Sequence, residues 1–482
     1  MALSTGFLHH ARRLIAADTV SKNGTRAAAD LLQGLYEHAG LPTRRQVVVE
    51  GGVEHVNVLG GPGGEAEGPG GVLFVTHLDT VPAGPRERWA TDPWALTEKD
   101  GYLHGLGSAD VKLDALCKAE AARRIQGHAL RRPFWLLGTF GEEVGLRGAR
   151  HFAASPEFQE VKPAWVLCGE PSELRLIHAH KGYAVVKATV TDRRARLVSS
   201  AGPGVEELHF AGRAAHSSTP HLGVNAIDRA LAWSKSSGTP VISARGGSSA
   251  NVVPSSCVLQ VPTPRDRGAP NPDEARFLPA RAFAPNLWRA LQTAGALSEL
   301  WLATLRSLAP SQDARFDPPG AVGGLNVLEA AEPPAPPPDA LYGTAQVSVT
   351  MDARLLPQHD PDELLRRFEQ DARRWIAELG RGELELTLSV ERNASGMALA
   401  EGSPLVAAVG RVLSAHGLDP APSAKPTSTE AGVFARAGCE AIVLGPGVST
   451  GNAHTANERI EMAQLERACD LYEALFHELC GS

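Results

Sequence analysis

Five separated segments of this chain carry residue types that bind cations or move protons. In GVLFVTHLDTVPAG (71–84), His77 follows an apolar run and Asp79 stands two residues later. On an extended chain, positions i and i+2 share a face. His77 can therefore offer a ring nitrogen to a metal while Asp79 orients the ring; a plain polar strand end is the other reading. In GLGSADVKLDALCK (105–118), Asp110 precedes a helical pattern, as a ligand or as an N-cap. Asp114 is read on the solvent side of that helix. In TFGEEVGLRG (139–148), Glu142 and Glu143 follow an apolar strand. Burying two carboxylates together is costly unless a cation or a proton compensates. Adjacent acids also point differently, so one can hold a metal while the other handles protons; a solvated turn is the alternative. Glu170 ends the run WVLCGE (165–170), and His454 lies in AIVLGPGVSTGNAHTANERI (441–460). Together, His77, Asp110, Glu143, Glu170 and His454 make a set of histidines and carboxylates. Such a set suits two zinc ions that share a bridging carboxylate and sit ~3.5–4 Å apart. Glu142 is then left over as a base.

Elements of two kinds must position these residues. Helical spacing marks 3–15, 26–40, 109–125, 360–379, 404–416 and 462–479; apolar strand-like runs mark 47–50, 53–59, 71–75, 134–139, 164–168, 384–390 and 441–444. Strands alternating with helices imply an α/β sheet, and acids at the ends of its strands stand where such sheets usually carry their sites. Between these parts the pattern changes. Residues 184–190, 206–211, 256–261 and 345–353 read as strands and 225–235 as a helix of another unit. The expected fold is an α/β domain interrupted by a smaller α+β domain. The boundaries read as 1–183, 184–356 and 357–482. The stretch 262–343 holds the Pro-rich runs PTPRDRGAPNP and EPPAPPPDA around a helical segment at 286–308. It reads as an insertion displayed on the surface.

Composition excludes several classes. The 482 residues are 43% apolar and 21% charged with a net charge of −7, so a basic nucleic-acid binder is not expected. The N-terminal segment has neither a signal-peptide core nor a membrane span, and it is read as the first helix of a cytoplasmic enzyme. Six cysteines without a C-x-x-C pair are read as reduced, buried thiols. Cys168 lies close to Glu170, but the sequence places no histidine beside it to activate a thiol nucleophile.

These motifs, in this order, resemble the acetylornithine deacetylase / succinyl-diaminopimelate desuccinylase family of dinuclear zinc hydrolases, which includes aminoacylases and glutamate carboxypeptidases. The resemblance implies a zinc-peptidase-like α/β catalytic domain with a mixed central sheet, an interrupting α+β domain that is a ferredoxin-like lid and dimerisation domain, and two Zn2+, with Co2+ able to substitute. His77 and Glu170 would hold one ion, Glu143 and His454 the other, and Asp110 would bridge them. Asp79 would support His77, and Glu142 would be the general base and acid. FAGRAAHSSTPHLGVNAID (210–228) looks like the family's lid segment; His216 would polarise the scissile carbonyl, typically in the active site of a partner subunit. GGSSANVVPSS places Asn251 at a substrate position, MDARLLP places Arg354 at the substrate carboxylate, and LGPG places Gly445 and Gly447 along the pocket. A second GGLNV makes Asn326 a competitor for the asparagine role, with Asn251 favoured because NVVP follows the first glycine pair. EPSELRLIHAHKGY, STEAG and LGPG look most like acetylornithine deacetylases, enzymes of arginine biosynthesis. Val111 and Leu113 depart from the family's usual methionine and glycine. The implied protein is a homodimer that acts on a small N-acyl amino acid, with desuccinylase or glutamate-type peptidase activity as the alternative.

Overall fold

The computed structural model describes residues 3–62, 70–199, 204–263, 283–308, 311–331, 340–379 and 382–481. The chain divides into two compact units, Met1–His180 with Ala394–Ser482, and Lys181–Asn393.

The first unit is built on a mixed sheet. Its strands run in the order Thr43–Glu50, Val53–Gly60, Phe134–Thr139, Val72–His77, Trp165–Cys168, Glu440–Val443, Ile177–His180 and Met397–Ala398. Val72–His77 pairs in parallel with both Phe134–Thr139 and Trp165–Cys168, and Glu440–Val443 pairs in parallel with Trp165–Cys168. Val72–His77 and Phe134–Thr139 are buried along their whole length, which is why they read as continuous apolar runs rather than alternating ones. Helices Thr5–Ala16, Arg26–His38, Lys112–Arg124 and Met462–Cys480 bury Leu14, Leu32, Leu116 and Tyr472 in one core with Phe74 and Leu136. The strand His77, the turn after Thr139, the turn after Cys168 and the loop after Val443 all open at the carboxyl ends of parallel strands. The sequence order of acids and histidines therefore becomes a spatial cluster.

The second unit is an antiparallel sheet in the order Val205–Ala211, Ser256–Pro262, Ser243–Gly246, Val322–Ala330, Tyr342–Leu355, Gly182–Ser199 and Phe283–Pro285, with Leu384–Ala394 also paired to Gly182–Ser199. Helices Ala226–Ser237, Trp288–Leu308 and Pro361–Glu378 pack onto it. Two expectations are corrected here. The return to the first unit comes at 394, not 357, because the helix Pro361–Glu378 buries Leu364, Phe368 and Ala372 in the second unit's core. The stretch 262–343 is also no surface insertion in its described parts. The strand Val322–Ala330 lies inside the sheet, which outgrows a ferredoxin-like core, and the helix Trp288–Leu308 is packed against it. Trp301 on that helix is fully buried, donates from Nε1 to the Asp352 carbonyl at 2.7 Å, and meets Phe368 edge to face at 5.1 Å. Most of the two Pro-rich runs lies outside the described residues. Among the described residues no helix is long and apolar enough to cross a membrane, and all six cysteines are buried and unbridged.

Trp301→Ala is expected to lose about 3–5 kcal/mol of stability in denaturant unfolding, the cost of emptying a core site. A change within ~0.5 kcal/mol, typical of surface positions, would return the segment to the periphery.

Candidate active site

His77 closes a buried strand and is itself buried. Its Nε2 lies 3.1 Å from Asp110 Oδ1, and its Nδ1 lies 3.0 Å from the Asp79 backbone carbonyl. Asp79 thus holds the ring through its main chain, with its carboxylate 3.7 Å from Nδ1. That carboxylate has a second task. It accepts the backbone N–H groups of Glu142 at 3.0 Å and Glu143 at 3.2 Å, and the Ser21 hydroxyl at 2.7 Å. One buried aspartate therefore ties the turn bearing both glutamates to the strand bearing His77.

Asp110 is not an N-cap: the helix begins at Lys112 with Val111 in the cap position and no side-chain cap bond. Its two carboxylate oxygens instead face His77 and His454, the latter at 3.2 Å. His454 Nε2 is also 3.0 Å from Glu143 Oε1. Two donor groups result, each with its ligand atoms within 4.8 Å of one another: His77, Glu142 and Glu143, and Asp110, Glu143 and His454. Glu170 belongs to neither; its Oε2 accepts from Lys425 Nζ at 2.9 Å.

The electrostatics reflect crowded acids. Burial alone would lower both histidines, but the bond to Asp110 and the charges of Glu142, Asp110 and Asp79 carry His77 well above its usual value. His454, bonded to Asp110 and Glu143, is pushed up to about 11. Burial would raise Asp110, yet the two imidazoles hold it far below the carboxylate range. Glu143 stays raised, because burial and the Asp110 charge outweigh its contact with His454. A nest of acids that draws protons onto its histidines in this way is one a divalent cation would neutralise. The donors, imidazole nitrogens and carboxylate oxygens, are those zinc accepts, so the residues fit the implied ions.

Several positioning residues have weak sequence signals. Glu458 is buried and accepts the backbone N–H groups of Gly107 at 3.0 Å, Ala109 at 2.8 Å and Asp110 at 2.9 Å, holding the Asp110 loop in place. Its own carboxyl is pushed up to about 7, by burial first and the Asp110 charge second. Only its closeness to His454 in the chain hinted at it. Glu430 of STEAG is buried, and burial pushes it up to about 7. Asp114 is a correction: it is buried, not solvent-facing, and bonds Thr76 Oγ1 at 2.6 Å, Lys118 and the Tyr472 hydroxyl. A side chain at Gly169 would collide with that carboxylate, so glycine must precede Glu170. Cys168 is buried, and burial holds its thiol well above the usual range, which removes it as a nucleophile. Gly445 and Gly447 spend their amides internally, on Ser172 Oγ at 3.1 Å and Gln464 Oε1 at 2.8 Å, tying their loop to the turn after Cys168 and to the last helix.

The second unit carries its own polar group. Arg354, opposite Tyr183 in the sheet register, is buried with its guanidinium 3.5 Å above the Tyr183 ring and donates to Ser217 Oγ at 3.2 Å. Asp352, two residues earlier and fully buried, lies 3.7 Å from Arg354 Nε. Asp352 Oδ1 accepts from Asn326 Nδ2 at 2.9 Å and from the Gly324 amide at 3.1 Å. Asn326, Asp352 and Ser217 line a cavity of about 230 Å3. Asn251 is not among these residues: it sits in a turn, bonded to Ser249. Its backbone carbonyl accepts from the Ser217 amide at 2.9 Å, whereas the buried Asn326 spends its Nδ2 on Asp352 and on the Ala250 carbonyl at 2.6 Å. His216 is exposed, with Nδ1 2.6 Å from Ser218 Oγ.

A cluster of imidazoles and carboxylates, largely buried except for His454, at the carboxyl ends of parallel strands is the site of a metal-dependent hydrolase. The chain belongs to Peptidase family M20/M25/M40, which it matches over residues 73–478. It is 35% identical over 216 residues to the acetylornithine deacetylase of Yersinia pestis, covering 44% of this chain and 49% of that one. The chain thus spans about half the length of the curated relatives it matches. Among solved structures it resembles the aminoacylhistidine dipeptidase of Vibrio alginolyticus (TM-score 0.61, 16% identity, covering 100% of this chain and 98% of that one). It also resembles an M20 family metallo-carboxypeptidase of Sulfolobus solfataricus (TM-score 0.60, 17% identity, covering 99% of each chain).

Burial pushes the Asp352 carboxyl up to about 6 from an ordinary 3.8, against the pull of Arg354 and its hydrogen bonds. A raised folded-state value means that the fold prefers the protonated acid. Its stabilising contribution is complete below pH 3.8 and lost as the pH rises through about 6. Thermal melts should therefore show wild type gaining stability relative to Asp352→Asn as the pH falls from ~7 to ~4. A pH-independent difference would refute the shift.

Proposed function

We propose that this protein is a zinc-dependent amidohydrolase that removes an acyl group, an acetyl group in the first instance, from an N-acylated amino acid. The observation that carries the reading is the pair of overlapping donor groups sharing Glu143, with Asp110 between His77 and His454. It is supported by similarity to acetylornithine deacetylases over 44% of the chain. In this reading His77 and Glu170 would hold one zinc and Glu143 and His454 the other, with Asp110 available to both. The ions, when bound, supply Lewis acidity and a nucleophilic water at neutral pH.

The chain's own residues do the rest. Glu142 has its backbone fixed by Asp79 and its carboxylate beside His77 and Glu143. It takes the proton from the attacking water and returns it to the departing amine. Arg354, stacked on Tyr183 and flanked by Ser217, recognises the substrate carboxylate. Asp352 is its counter-charge, 3.7 Å from Nε, and Asn326 holds the other oxygen of Asp352. His216, on an exposed short strand, polarises the scissile carbonyl, and the working assembly is a homodimer through the second unit.

Glu142→Ala should lower turnover by ~10²–10⁴-fold, the range for a lost general base, while the zinc content measured by mass spectrometry stays unchanged. Activity within threefold of wild type would remove Glu142 from the chemistry. On zinc-loaded full-length protein, N-acetylornithine should be hydrolysed faster than N-succinyl-diaminopimelate or C-terminal glutamate peptides. Turnover of the peptides alone would replace the deacetylase reading with a peptidase one.

A further inference from the structure

Lys425 is a cation inside the acidic cluster that the hydrolytic reading does not use. It ends the short strand Ser423–Lys425, which pairs in parallel with Ile177–His180. Its ammonium lies 2.9 Å from Glu170 Oε2, with the two side chains only 15% and 10% exposed. It is also within electrostatic reach of Asp110 and Glu142. Glu170 is the one proposed ligand that stands outside both close donor groups.

The two halves of the cluster thus differ in kind. Asp110 and Glu143 are partnered by His454, whose ring nitrogen is itself a donor that a metal ion can use. Glu170 is partnered by an ammonium, which has no lone pair to offer while charged and keeps its positive charge beside any incoming ion. A divalent cation that recruits Glu170 has to displace a bond already made, in a place where water screens poorly.

We propose that Lys425 is an internal competitor for the cation position at Glu170: it holds that carboxylate as its own counter-ion and weakens binding of the ion that His77 and Glu170 would share, leaving the ion at Asp110, Glu143 and His454 largely unaffected. This rests on the two-ion reading above. It makes Lys425 a positioning residue that sets how readily the second ion enters.

The test is calorimetric titration of the chelator-stripped full chain with Zn2+ alone, alongside metal counting after dialysis. Lys425→Gln keeps a hydrogen-bond donor for Glu170 and removes the charge; it should bind the second ion at least ~10-fold more tightly than wild type, with the first ion unchanged. Lys425→Arg keeps the charge and should retain the wild-type isotherm. Should the glutamine variant fail to fold by circular dichroism, Lys425→Met carries the same expectation. Two ions bound with the same affinities in wild type and the neutral variant, or a neutral variant that binds the second ion more weakly, would overturn the role of Lys425 alone. Uptake of a single ion by both, even in excess zinc, would overturn the two-ion reading and this proposal together.

Discussion

The first unit is organised around one electrostatic problem: carboxylates are gathered where little water can reach them. Asp110, Glu143, Glu170, Asp79 and Glu430 are all mostly buried around His77. Such a collection is unstable unless positive charge answers it. The histidines do so by holding protons, and His77 and His454 are accordingly driven upward in basicity. A divalent cation performs the same neutralisation with the same donors and, when bound, adds the chemistry. Binding and catalysis here grow out of a charge imbalance that the fold maintains.

Maintaining it requires loops that cannot relax. Asp79 and Glu458 act as matching clamps: each is a buried carboxylate that accepts several backbone N–H groups, one from the Glu142–Glu143 turn and one from the Asp110 loop. Hydrogen bonds from backbone amides to a charged acceptor are among the stronger ones, so each loop is fixed by its main chain, independently of what its side chains ligate. Behind them, Asp114, Lys118, Thr76 and Tyr472 form a buried polar knot that joins the helix Lys112–Arg124 to the central strand and to the last helix. Gly169 exists to leave room for that knot, and the adjacent position is therefore free to present Glu170.

The second unit meets a similar constraint on a smaller scale. Asp352 and Arg354 alternate along one strand and so point to the same side of the sheet. Their charges are answered by each other, by the Tyr183 ring and by Asn326. The helix Trp288–Leu308 closes the sheet by burying Trp301 against the same strand. A segment flanked by proline runs is in this way an integral part of the core.

The α/β class, the order of the elements and the gathering of His77, Asp110, Glu142, Glu143 and His454 into one cluster were legible in the sequence. Their signals are local: apolar runs ending in an acid or a histidine, and parallel strands that open at one edge. Asp352, Glu458 and Lys425 were not legible, since each matters only through a partner distant in sequence. Asp114 was misread because helical spacing says which residues share a face but not which faces a large protein buries. The core role of 286–308 was hidden for a related reason: proline-rich flanks describe how a segment is connected, whereas its packing depends on which sheet it meets. Local periodicity and motif order determined the chemistry this chain can hold; tertiary contacts alone decided how it is held, because buried charge is stabilised by whichever group the fold brings within hydrogen-bond distance.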